Sequence, residues 1–89
     1  MRHRSDKNQA EIVAALRSVG CAVYIMARPL DLLIWSPFQQ RHIIADVKNP
    51  DGKGSTLTAD QKKFVSEWAG PWYLIRSVDE ALEVVGAKA

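Results

Sequence analysis

The run Ile43-Ile44-Ala45-Asp46-Val47-Lys48 constrains this chain more than any other stretch. Side chains alternate across a strand with period 2, so Ile43, Ala45 and Val47 fall on one face and Ile44, Asp46 and Lys48 on the other. A carboxylate and an ammonium are thereby set into an otherwise apolar strand. Burying an unpaired charge costs several kcal/mol, so Asp46 and Lys48 must either pair with each other or share a site. A second apolar run upstream, Leu30-Asp31-Leu32-Leu33-Ile34-Trp35, carries an acid of its own. Two such strands, each holding one acid, imply a common polar focus.

The remaining pattern arranges itself around these strands. Residues 1–5 are polar and basic and read as a frayed end. A helix is expected from Asp6 to Val19, with Ser5 as N-cap, Gly20 as the stop, and Gln9, Ile12, Val13 and Leu16 on its inner stripe. Cys21–Met26 reads as a strand, Ala27-Arg28-Pro29 as a break, and Leu30–Trp35 as the next strand. Ser36–Gln40 is a hairpin-like turn leading into the strand Arg41–Lys48. Asn49–Ser55 is dense in turn residues and forms the long loop. Thr58 then caps a second helix, with Gln61 completing a capping box and Phe64, Val65 and Trp68 continuing the buried face that Gln61 heads. Gly70-Pro71 ends it, Trp72–Arg76 is a fourth strand, and Ser77 with Glu80 forms another capping box before a helix through Val85. The order is α-β-β-β-α-β-α, an α/β class with one domain over residues 1–89 and no linker or repeat.

Composition narrows the functional classes. The net charge is only +2, so no strongly basic balance announces nucleic acid, yet the cations are uneven. Arg2, His3, Arg4 and Lys7 crowd the start, and Lys48, Lys53, Lys62 and Lys63 gather in the middle. The single cysteine, Cys21, excludes an internal disulfide, fits a reducing compartment, and reads as a small apolar residue opening a strand. No apolar run approaches the ~18–20 residues of a membrane span and no signal-peptide pattern is present, so a cytosolic protein is expected. A domain this small has a marginal core, which favours self-association.

Asp31 and Asp46 lie side by side if their strands are antiparallel. Two carboxylates in reach repel, and a divalent cation between them removes that cost; oxygen-only ligation suits Mg²⁺ or Mn²⁺. Lys48, on the face of Asp46, could hold or polarise a water there, a set suited to phosphodiester hydrolysis. The plainer reading is a solvated strand edge with Asp46 and Lys48 exposed or paired. Gln61 serves its capping box and also heads a helix start whose N–H groups suit anionic phosphate. On the first helix Asp6 and Gln9 sit on the Ile12 side, whereas Glu11 faces solvent. If a helix acid joins the site, geometry favours Asp6, whose alternative role is to stabilise the helix dipole. Lys53 in the glycine-bearing loop, with Lys62 and Lys63 beyond it, could approach a phosphate chain or simply be solvated. His3 and His42 are too scattered for zinc. Trp35, Trp68 and Trp72 read as core residues rather than base-stacking platforms.

These residues, in this order, resemble the PD-(D/E)xK nuclease superfamily and within it the small VRR-NUC domains of phage and prophage type. The likeness runs over nearly the whole chain: Asp6-x-Asn8-Gln9-x-Glu11-Ile12, Leu16-Arg17 before Gly20, Asp31-Leu32-Leu33, Asp46-Val47-Lys48, Leu57-Thr58-x-Asp60-Gln61, Trp68-x-Gly70, and Arg76 to Leu82. The resemblance implies a restriction-endonuclease-like αβββαβ core with a mixed four-stranded sheet. It implies Asp31 and Asp46 as metal ligands joined by the Val47 main-chain carbonyl, Lys48 as the catalytic lysine, and Gln61 as the glutamine after the motif. Asp6 stands near the family's helix acid, in a register that slips easily toward Gln9 or Glu11. The pattern departs where Leu30 separates Pro29 from Asp31, and where Met26-Ala27-Arg28 replaces a glycine-rich loop. The expected function is a Mg²⁺- or Mn²⁺-dependent DNA endonuclease acting on four-way junctions or flaps, as a homodimer, in a bacterial or phage-infected cytoplasm. The rivals are a nuclease-fold DNA-binding or assembly module without turnover, and a purely protein-interacting domain.

Overall fold

The computed structural model describes residues 4–48 and 57–88. Its elements are α1 (Arg4–Ser18), β1 (Ala22–Ile25), β2 (Leu32–Ser36), β3 (Arg41–Val47), α2 (Ala59–Glu67), β4 (Trp72–Ile75) and α3 (Val78–Val84). The strands form one sheet in the order β1-β2-β3-β4, antiparallel at the first two joints and parallel between β3 and β4. The expected α/β class and mixed four-stranded sheet are therefore present. A parallel joint cannot be made by a hairpin, so the chain crosses back through α2 before laying down β4.

The core lies between the sheet and the pair α1 and α3. Ile12, Val13 and Leu16 of α1 meet Leu32 and Ile34 of β2, Ile43, Ala45 and Val47 of β3, Ile75 of β4, and Ala81 of α3 with Val85 at its C-cap. The period-2 reading of β3 holds: Ile43, Ala45 and Val47 face this core, and Ile44 and Asp46 are buried on the opposite face. Cys21 is buried at the core edge as a small apolar residue, and burial pushes its thiol up from the ordinary range.

Several boundaries move for physical reasons. α1 begins at Arg4, so Ser5 lies inside it rather than capping it. It ends as expected, with Gly20 at φ 101°, a left-handed conformation that costs glycine least. Ser36 belongs to β2, not to the turn: its hydroxyl donates to the Val85 carbonyl at 2.6 Å and accepts from the Gln39 N–H at 3.1 Å. One fully buried side chain thus ties the hairpin to the end of α3.

Thr58 and Gln61 form the expected capping box, but α2 contains no buried residue. Gln61, Phe64 and Val65 are half-buried, and Trp68 falls beyond the helix and is 41% exposed. Trp35 and Trp72 are also only half-buried, so none of the three tryptophans is a core residue. At α3 the Ser77 hydroxyl accepts from the Glu80 N–H as expected, but the Glu80 carboxylate accepts from the Arg76 N–H at 2.7 Å, one residue before the cap. The loop expected over 49–55, with Lys53, lies outside the described residues. Among the described residues no helix is long and apolar enough to cross a membrane.

Candidate metal and phosphate site

The antiparallel register of β2 and β3 pairs Leu32 with Ala45. Continuing it by one step sets Asp31, at the mouth of β2, opposite Asp46. The juxtaposition expected from the sequence is realised, and it is tight. The Asp31 Oδ2 accepts from the Val47 N–H at 2.8 Å. The Lys48 Nζ lies 2.8 Å from the Asp46 Oδ2, with the two side chains only 11% and 3% exposed. Asp46 and Lys48 therefore form a buried ion pair rather than a solvated strand edge.

Asp31 bears the cost of this crowding. Burial pushes its carboxyl from its usual 3.8 up to about 6. The Val47 N–H pulls the other way, while the hydrogen bond to the Asp46 carboxylate and its charge push further up, against a smaller opposing effect of the Lys48 ammonium. Two carboxylates sharing one cationic side chain leave a deficit of positive charge.

That deficit is the feature a divalent cation fits. Among the described residues no group of three or more His, Cys, Asp and Glu side chains gathers. Mg²⁺ keeps several waters and takes one or two carboxylates, which is what Asp31 and Asp46 offer. In a strand the N–H and C=O of one residue point toward the same neighbour, so the Val47 carbonyl lies on the Asp31 side with its N–H. Asp31, Asp46 and the Val47 carbonyl thus fit an oxygen-ligated Mg²⁺ or Mn²⁺.

The first helix contributes a residue that sequence reasoning did not select. The Asn8 side-chain amide donates to the Lys48 carbonyl and to the Arg76 carbonyl, at 3.0 Å each. Those carbonyls lie just past the ends of the parallel strands β3 and β4, where ladder bonding stops. The Lys48 N–H also donates to the Ile75 carbonyl at 3.0 Å, so the lysine backbone is held on both its polar groups. Gln9 is half-buried and Glu11 exposed, as expected, and the side chain of Asp6 falls outside the described residues.

Gln61 reaches the same end of the sheet from α2. Its amide oxygen accepts from the Thr58 N–H at 3.0 Å and its Nε2 donates to the Pro29 carbonyl at 3.3 Å. The glutamine therefore joins α2 to the segment that leads into Asp31, and among the described residues one N–H of its amide has no partner. Lys62 is exposed on α2, directly after Gln61. No family model, curated protein or solved structure matches the chain.

Proposed function

We propose that the chain is a divalent-metal-dependent DNA endonuclease of VRR-NUC type within the PD-(D/E)xK superfamily. It hydrolyses phosphodiester bonds in branched DNA such as four-way junctions or flaps. It acts as a homodimer in the cytoplasm of a bacterial or phage-infected cell. The observation that carries this reading is the Asp31–Asp46 pair with Lys48 at 2.8 Å. Asp31, Asp46 and the Val47 carbonyl would hold Mg²⁺ or Mn²⁺, which supplies Lewis-acid polarisation of the phosphate and lowers the pKa of water.

The chain's own groups supply the rest. An ammonium has three donors, and only one is needed for Asp46. Lys48 can therefore orient the attacking water or stabilise charge as it develops on a non-bridging oxygen. Asn8 donates to the carbonyl of the same residue and so steadies the backbone that carries the lysine side chain. Gln61, whose amide donates to the Pro29 carbonyl two residues before Asp31, would hold the scissile phosphate.

The test is incubation of a labelled four-way junction, a flap and a matched duplex with the protein in Mg²⁺, Mn²⁺ or EDTA, alongside Lys48→Ala. The expected result is metal-dependent cutting near the branch that Lys48→Ala lowers by at least ~100-fold. Cutting retained by a folded Lys48→Ala sinks the assignment of the lysine. Salt-dependent binding without products in either metal assigns the non-cleaving DNA-binding module instead.

A further inference from the structure

A groove of about 570 Å³ runs between α2 and the segment joining β1 to β2. Gln61 and Phe64 lie along it, with Arg28 and Lys63 as cations and Asp60 and Glu67 as anions. It shares Gln61 with the site described above and opens beside Pro29, two residues before Asp31. Phe64 is half-buried there, braced by Trp68 at a ring-centroid distance of 5.1 Å with planes 29° apart.

The volume is that of a small-molecule site, within the ~300–1,000 Å³ such pockets span. The charges decide what it takes. A run of phosphates would meet as much repulsion from Asp60 and Glu67 as attraction from Arg28 and Lys63. A single nucleotide matches the mixture: one phosphate for the cations, an aromatic face for Phe64, and an exocyclic amino group for a carboxylate acceptor. A base stacked in a duplex has no free face to offer, so the nucleotide must be unpaired.

We propose that this groove, through Phe64, Arg28 and Lys63, is a subsite for one unpaired nucleotide next to the bond that is cut. The proposal rests on the nuclease reading for the position of that bond. It makes Phe64 a stacking residue and Arg28 a phosphate contact. It also ties preference among branched substrates to an unpaired base beside the branch, with cytosine and adenine favoured over thymine.

The experiment uses splayed-arm DNA carrying 2-aminopurine at successive positions around the branch, titrated with the full chain at low salt in EDTA, with cleavage of the same DNA followed in Mn²⁺. The expected result is a several-fold fluorescence change confined to one position, next to the bond cut in Mn²⁺. It is lost in Phe64→Ala with about 10-fold weaker binding and restored in Phe64→Trp. Phe64→Leu keeps apolar bulk against Trp68 without a flat ring and loses the signal while remaining folded by circular dichroism. A change spread evenly over all positions, or one that Phe64→Leu leaves intact, overturns the subsite even where Mn²⁺ cleavage persists and the nuclease stands. A position-specific signal without cleavage retains the subsite and removes the enzyme. No DNA affinity at low salt overturns both.

Discussion

Asp31 is the residue whose ionisation the fold works against. Its carboxyl is raised from 3.8 to about 6, so between those values the native state binds more protons than the unfolded chain. Stability from this group is therefore greatest at the acid end and falls as pH rises toward 6, levelling above it. The expected outcome is that Asp31→Asn, which keeps the shape without the charge, loses this part of the fall in Tm between pH 4 and pH 6, as about those limits follow from the shift. At neutral pH without divalent cation the variant melts higher than the parent. Mg²⁺ raises the parent's Tm and leaves the variant's unmoved, which calorimetry across pH with and without Mg²⁺ checks. The facing acids and the lysine were legible because period-2 alternation and an antiparallel hairpin leave Asp31 and Asp46 few other places to go. Asn8 was not legible. Its partners are main-chain carbonyls 40 and 68 positions away, which no side-chain pattern announces.

At the scale of elements, α2 is held differently from the rest. α1 and α3 bury apolar stripes against the sheet, whereas α2 has a well-formed capping box, no buried residue, and the Gln61–Pro29 hydrogen bond at 3.3 Å. Local bonding without burial gives a segment that opens well below the global unfolding free energy. Hydrogen exchange should show α2 amides exchanging at least ~10-fold faster than those of β3 and α1. Thr58→Ala should widen the gap while lowering global stability by at most about 1 kcal/mol. Equal protection in α2 and β3 would contradict this. The same contrast explains what the sequence concealed. The Thr58–Gln61 box was readable because it is complete within four residues. The expected buried face of Phe64, Val65 and Trp68 was not, because helical periodicity states which residues share a stripe and not whether anything lies opposite. Glu80 is a milder case: its spacing from Ser77 is right for a capping box, yet the N–H of Arg76 claims the carboxylate.

Across the whole molecule, the sheet combines two kinds of joint. β1, β2 and β3 form a meander whose hairpins are local, and that meander already contains Asp31, Asp46 and Lys48. The parallel joint to β4 requires closing the chain through α2, a non-local contact that costs loop entropy before it returns stability. Asn8 bonds to the ends of both β3 and β4, so its two contacts can form together only after that joint has closed. Asn8→Ala leaves two backbone carbonyls without their donor, and a loss of about 1–3 kcal/mol is expected. In stopped-flow denaturant experiments that loss should fall mainly on the unfolding arm, with the folding rate nearly unchanged. An equal slowing of folding would place the contact in the rate-limiting ensemble instead.

The Asn8 clamp also bears on how the chain behaves while it is being made. The acids and the lysine all leave the ribosome before β4 does, so an incomplete chain carries every charged group of the site. What it lacks is the Arg76 end of the clamp, and with it the anchoring of the lysine backbone between two strands. On the proposed nuclease reading, a chain without β4 and α3 would hold Asp31, Asp46 and Lys48 without the alignment that the Asn8 clamp gives the lysine.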